Sequence, residues 1–242
     1  MRIPERLVPL YEEGLIDEVV RPLMSGKEAQ IYLVISKGEY RVAKVYKEAN
    51  ERAFKHRADY TEGRRTRNTR DQRAMNRRSK YGRAQAESAW RNAEADYIYR
   101  LQAAGVRVPE PYAFVRGVLI MELVEDAEGN PAPRLVDLQL EPDEAEELFF
   151  FILRQAQLML CAGVVHGDLS DFNVLVGRDG PVLIDFPQAV DPAHNRNACR
   201  LLVRDINNLV SFLGRFAGNL RGRRYGEEMW ALYESGKLDP ET

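Results

Sequence analysis

Apolar positions along the chain follow two periods. Val19 to Leu23, Gln30 to Ile35 and Arg41 to Tyr46 alternate or cluster as strands, and Lys37-Gly38-Glu39 marks a turn before the third. Phe114-Val115 and Val118-Leu119-Ile120-Met121 predict a hairpin about Arg116-Gly117. Elsewhere the period is helical. Residues 3–13 predict a short amphipathic helix. Between Ala84 and Ala104 the stripe is Trp90, Tyr97, Ile98 and Leu101, stopped by Gly105. Pro142 opens a long helix with Asp143 and Glu144 in its first turn, where acids favour the dipole. Its stripe is Ala145, Leu148, Phe149, Ile152, Ala156, Met159 and Leu160, and Gly163 ends it. Asn195 predicts the cap of a helix with the stripe Leu202, Ile206, Leu209, Val210 and Leu213. A last helix is expected over 225–235, around Trp230.

This order divides the chain into a strand-rich part, residues 1–124, and a helix-rich part, residues 125–242, an α+β arrangement. At 242 residues the chain can bury a full core as one domain or two packed lobes. A net charge of −2 exerts no global pull toward nucleic acid or membrane, and no run of 18 apolar residues is present. The start, Met1-Arg-Ile-Pro-Glu-Arg, lacks the apolar core of a signal peptide. Cys161 and Cys199 lie far apart, so reduced thiols in a cytoplasm are the expectation, and the three histidines do not cluster as a zinc site would require. Charge is unevenly spread. Residues 52–83 are crowded with Arg and Lys, whereas Glu122 to Glu147 is strongly acidic.

Candidate chemistry concentrates in His166-Gly167-Asp168-Leu169-Ser170-Asp171-Phe172-Asn173, followed by the apolar runs Val174-Leu175-Val176 and Val182-Leu183-Ile184 and then Asp185. An isolated Asp-x4-Asn would be an ordinary polar turn. Three features at matching offsets point instead to phosphoryl transfer, in which Asp168 receives the proton of an attacking hydroxyl. Asn173 and Asp185 then hold metal against nucleotide phosphates. Lys44 shares a strand face with Val42 and Tyr46; a mid-strand lysine either lies at a solvated edge or reaches phosphates while paired to a helix carboxylate. Glu94, four residues after Trp90 and three before Tyr97, falls on the inward helix face and needs such a partner. The turn Ser25-Gly26-Lys27-Glu28 can lay backbone N–H groups over phosphates or be a plain hairpin turn. At the boundary of the two parts, backbone groups of Glu122 and Val124 are placed to read an adenine edge, with Met121 behind it.

In this order and spacing the residues Ser25-Gly-Lys-Glu-Ala29, Lys44, Glu94, Met121-Glu122, Pro133-Arg-Leu135, His166 to Asn173 and Ile184-Asp-Phe-Pro-Gln188 resemble the RIO family of atypical protein kinases. The likeness is greatest to bacterial, Rio1-like members. No winged-helix segment of the Rio2 type precedes residue 16. The resemblance implies a two-lobed protein-kinase-like fold with an antiparallel-sheet N-lobe and a mainly helical, truncated C-lobe. It further implies ATP with Mg²⁺ or Mn²⁺, and phosphorylation of protein serine, including autophosphorylation. By the same carry-over Asp168 is the acid/base, Lys44 and Glu94 complete the catalytic set, and Asn173 and Asp185 are the metal ligands. Some family members resemble ATPases that form a phospho-aspartate at the position matching Asp185.

Departures from ordinary protein kinases are equally informative. Gly167 stands where they carry the arginine that pairs with a phosphorylated activation loop, and no Ser, Thr or Tyr lies between Asp185 and Asp205. The usual charge-pairing switch is therefore not expected. Ser170 replaces the lysine that neutralises the γ-phosphate, which predicts slow turnover, and Pro187 should restrict flipping of the Asp185 segment. His166 is expected as a structural imidazole under the loop. Two other functions compete. One is a small-molecule kinase of the aminoglycoside or choline type, which usually carries a larger helical substrate lobe than the 57 residues (242 − 185) after Asp185. The other is a slow ATPase or nucleotide switch on a ribosomal or other RNA–protein assembly. For such a switch the basic segment 52–83 would bind RNA phosphates or an acidic protein surface; a solvated insertion is its bland reading. No membrane partner is expected.

Overall fold

The computed structural model describes residues 3–26, 29–47 and 94–241. Lys27, Glu28, Trp90 and the basic segment 52–83 lie outside the described residues. By contact density the described chain divides into two compact units. One comprises residues 3–26, 29–47, 94–98 and 109–123, and the other residues 99–108 and 124–241.

The first unit is built on a five-stranded antiparallel sheet: β1 (Glu18–Ser25), β2 (Ala29–Ser36), β3 (Glu39–Tyr46), β4 (Pro111–Val115) and β5 (Val118–Glu122), in the order β1-β2-β3-β5-β4. Two tight turns set its register. Lys37 and Gly38 have φ of 55° and 78°, Arg116 and Gly117 of 51° and 75°, the paired left-handed residues that match strand twist in two-residue hairpin loops. Before the sheet come a 3-10 turn, Glu5–Leu7, and α1 (Val8–Glu12), shorter than the predicted 3–13. Leu7, Leu10 and Ile16 pack against Val34, Ala43, Val45, Val118 and Ile120 on one sheet face. Because neighbours on a strand alternate, Lys44 is directed to the opposite face.

The second unit is mainly helical. Its helices are α3 (Pro142–Cys161), α4 (Ala198–Leu213) and α5 (Tyr225–Glu234), with one hairpin, β6 (Val174–Gly177) and β7 (Gly180–Leu183). Helix α2, residues 94–103, crosses the division, its first five residues counting with the sheet. At the start of α3 a capping box forms: Glu141 accepts from the Glu144 backbone, and the Glu141 N–H donates to the Glu144 carboxylate at 3.0 Å. Its buried stripe departs from the expected one at two places. Leu148 is only half-buried, and Gln155 is buried because its Oε1 accepts the Arg107 N–H at 2.7 Å. Asn197, not Asn195, occupies the N-cap of α4. The Asn195 carboxamide instead accepts the Asn197 N–H at 2.8 Å in the turn before it. In α5 the inward residues are Gly226 and Met229, with Trp230 half-exposed beside Tyr233. Among the described residues, no helix is long and apolar enough to cross a membrane.

Candidate active site

In the first unit Lys44 lies on β3, the middle strand, between Ile31 of β2 and Leu119 of β5. Its Nζ donates to Glu94 Oε1 at 2.6 Å, near the start of α2, and lies 5.4 Å from the Tyr46 ring. Both partners are buried, at 6% and 1% exposure. An ion pair this far from water is stable only with good geometry, and either partner alone would be costly. Ser25 and Gly26 open the turn after β1. The Gly26 N–H donates to the Ala29 carbonyl at 2.9 Å, which tightens the turn, and both residues are exposed. At the end of β5, Met121 is half-buried. The Glu122 N–H donates to the Glu110 carbonyl at 2.8 Å, while the Glu122 carboxylate accepts the Glu110 N–H at 3.0 Å.

In the second unit Val124 is buried, and its carbonyl accepts the Ala132 N–H at 2.9 Å. Its own N–H forms no hydrogen bond among the described residues. Buried backbone donors are nearly always satisfied, so this amide is suited to a ligand acceptor such as an adenine ring nitrogen.

The β6–β7 hairpin gathers the remaining candidates. Val174 pairs with Leu183, and the ladder continues one step further as the Ile184 N–H donates to the Asn173 carbonyl at 3.0 Å. Register thus places Asn173 beside the residue preceding Asp185. Asn173 is buried and its Nδ2 donates to the Asp168 carbonyl at 2.8 Å, with an Asp168 carboxylate oxygen 3.5 Å away. That donation leaves the carboxamide oxygen as its acceptor for a ligand. His166 ties the loop from the other side. The Asp168 N–H donates to His166 Nδ1 at 3.3 Å, which leaves the proton on Nε2 to donate to the Ile184 carbonyl at 3.1 Å. The ring packs on Phe186 with centroids 4.8 Å apart, as a buried structural imidazole.

Among the described residues, three other than glycine have positive φ: Lys37, Arg116 and Asp185. Hairpin turns account for the first two. Asp185, at 71°, stands beyond the end of β7, where a left-handed non-glycine residue costs on the order of 1–3 kcal/mol, which makes it a candidate functional position. Asp185 and Asp168 are both exposed residues, and the Asn173 carboxamide is fixed by its bond to the Asp168 carbonyl. Two exposed carboxylates and an amide oxygen are hard donors, the set that suits a divalent cation carrying phosphate. Among the described residues no group of three or more His, Cys, Asp or Glu forms a separate metal cluster.

Sequence reasoning missed the residues that hold this loop from behind. Asp205 of α4 is 1% exposed, and its Oδ2 accepts the Gly167 N–H at 2.7 Å. Arg204 donates to the Gly167 carbonyl, and Asn208 Nδ2 donates to the Leu169 carbonyl at 3.1 Å. Both ends of Gly167 are therefore held by α4, and its φ of 79° explains why glycine stands there rather than arginine. Burial pushes the Asp205 carboxyl up to about 7, against the lowering effects of the Gly167 N–H and the Arg204 guanidinium. Unfolded, the same carboxyl titrates near 4, so between these values the folded chain binds the extra proton. Stability from this group is full at acid pH and is lost as pH rises through about 7. Asp205→Asn keeps an acceptor for Gly167 without the charge. Its thermal midpoint is expected to gain on the wild type from pH 5 to pH 8; a difference that does not change with pH would contradict this.

A family model for the RIO domain matches residues 30–225, most of the chain. The chain belongs to the RIO family. The RIO-type serine/threonine-protein kinase Rio1 of Haloferax volcanii is 36% identical over 215 residues, which cover 88% of this chain and 69% of that protein. Rio1 of Methanocaldococcus jannaschii is 35% identical over 204 residues, 83% of this chain and 64% of that one. Human serine/threonine-protein kinase RIO1 is 30% identical over 211 residues, which cover 86% of this chain and 35% of that protein. A crystal structure of a kinase domain superposes with a TM-score of 0.53 at 14% identity, covering 87% of this chain and 68% of that one. The fold is accordingly that of protein kinases, α+β. Membership of the RIO family implies ATP and a divalent metal.

Proposed function

We infer that the protein is an ATP-dependent serine/threonine protein kinase of RIO type, with Asp168 as the acid/base of transfer to a serine hydroxyl. The observation that supports this reading is that one carboxamide bond joins Asn173 to Asp168 while the hairpin register sets Asn173 beside Ile184, the residue before Asp185. As the serine oxygen bonds to the γ-phosphorus, the bond to the ADP oxygen breaks and Asp168 takes the hydroxyl proton. Lys44, oriented by Glu94, binds phosphate oxygens, and Ser25 and Gly26 open the turn assigned to them. Glu122 and Val124 read the adenine, with Met121 beside it. Mg²⁺ or Mn²⁺ on Asn173 and Asp185 would neutralise phosphate charge when bound. Acceptors are protein serines, the chain's own included. Two free cysteines and a chain without a long apolar helix among the described residues fit a cytoplasmic protein.

Incubation with γ-labelled ATP, Mg²⁺ and a basic protein tests the reading. Label on protein supports it. Label released only as inorganic phosphate would favour a nucleotide switch, and label on a small alcohol a small-molecule kinase. Because Ser170 stands where a lysine would meet the γ-phosphate, steady-state turnover is expected below about 1 s⁻¹, under the 1–100 s⁻¹ usual for kinases. A rate well inside that range would contradict the role given to the missing cation. The composition of residues 52–83 supports an RNA or ribosomal partner as a further proposal. Salt-sensitive RNA binding that survives deletion of these residues would refute it.

A further inference from the structure

Lys47 follows β3 directly and is exposed. Its ammonium donates to the Gly26 carbonyl at 2.6 Å and to Ser25 Oγ at 3.2 Å, the first two residues of the turn read above as lying over phosphates. Three residues earlier, Lys44 is charge-balanced by Glu94 at 2.6 Å, so that pair brings no net charge to a polyanion. The two oxygens that hold Lys47 are neutral. Moreover, the Gly26 N–H is already engaged with Ala29 at 2.9 Å, so the turn has spent the backbone donor it would offer a phosphate at that residue.

We propose that Lys47 is a second nucleotide-binding cation, whose ammonium is stationed on Ser25 and Gly26 and takes up the polyphosphate of ATP. The proposal rests on the assignment of that turn to phosphates and extends it to a residue outside it. An ammonium has three donors; two go to the turn and the third remains for a phosphate oxygen. A charge-assisted bond of this kind is about twice as strong as a neutral one, and at an exposed position it is weakened by salt. Lys44 and Lys47 thereby divide the work. The first is a buried, paired group of fixed geometry, and the second supplies net charge from a flexible stem.

The test is calorimetric titration of the full chain with ATP, ADP and adenosine at low and moderate salt, for the wild type, Lys47→Met and Lys47→Arg. The methionine variant is expected to lose about tenfold in affinity for ATP and ADP while holding adenosine within about twofold. Its ATP affinity should depend less on salt, and Lys47→Arg should recover most of the loss. Lys47→Met binding ATP as tightly as the wild type would overturn the proposal. So would equal losses for ATP and adenosine, which would make the lysine only a brace for the turn. A wild type that binds adenosine and ATP alike would instead overturn the assignment of the turn to phosphates, and the proposal with it.

Discussion

Asp168→Asn is expected to lower the rate of phosphoryl transfer by about 10²–10⁴-fold while leaving ATP affinity near that of the wild type. Asp168 is an exposed residue, so exchanging its carboxylate for a carboxamide of the same shape removes no buried packing. The shorter bonds that hold the loop at this residue are made by its backbone: the carbonyl accepts Asn173 Nδ2 at 2.8 Å and the amide donates to His166 at 3.3 Å. Asparagine keeps both and cannot accept the serine proton. The loss should therefore fall on kcat, with the unfolding midpoint almost unchanged. A matching fall in thermal stability would show that the carboxylate serves the fold, and an unchanged kcat would remove Asp168 from the chemistry.

The second large effect concerns the buried pair in the sheet unit. Glu94→Ala leaves the Lys44 ammonium at 6% exposure without the carboxylate 2.6 Å away, a change that costs about 3–5 kcal/mol in comparable buried pairs. Lys44→Met should cost a similar amount by stranding the carboxylate. The double variant Lys44→Met/Glu94→Leu removes both charges and should recover much of the stability, because two well-packed apolar side chains avoid the desolvation of two ions. Activity should not return with it. Urea unfolding of the three variants, read with their transfer rates, separates the two roles. If stability and activity recover together in the double variant, the pair serves the fold alone.

Several parts of this molecule were readable from the chain because one physical rule governed each. The two hairpin turns were visible as Lys37-Gly38 and Arg116-Gly117, since few sequences adopt paired left-handed residues cheaply. Lys44 and Glu94 were joined by crossing a strand period with a helix period, and they meet at 2.6 Å. The same argument applied to α4 would have found Asp205. It lies three residues after Leu202 and four before Leu209 on the buried stripe, and a carboxylate there demands a partner just as Glu94 did. Its partner is harder to foresee, being a backbone amide 38 residues away rather than a charged side chain. Arg204 and Asn208 were hidden for the same reason, since carbonyl acceptors are present in every residue and leave no trace in composition. The displacement of Leu148 by Gln155 on the α3 stripe also follows from one backbone bond, to Arg107. Lys47 escaped notice because surface lysines are common and its meaning comes only from the turn it touches.

The reading of this protein as a RIO-type kinase is tested most directly by phosphoamino-acid analysis after incubation with γ-labelled ATP and Mg²⁺, comparing the wild type with Asp168→Asn. Acid-stable label on serine in the wild type, formed at least about a hundredfold more slowly by the variant, is the predicted result. Label that is acid-labile and sits on an aspartate, or that forms on serine at an undiminished rate when Asp168 has been replaced, would contradict it.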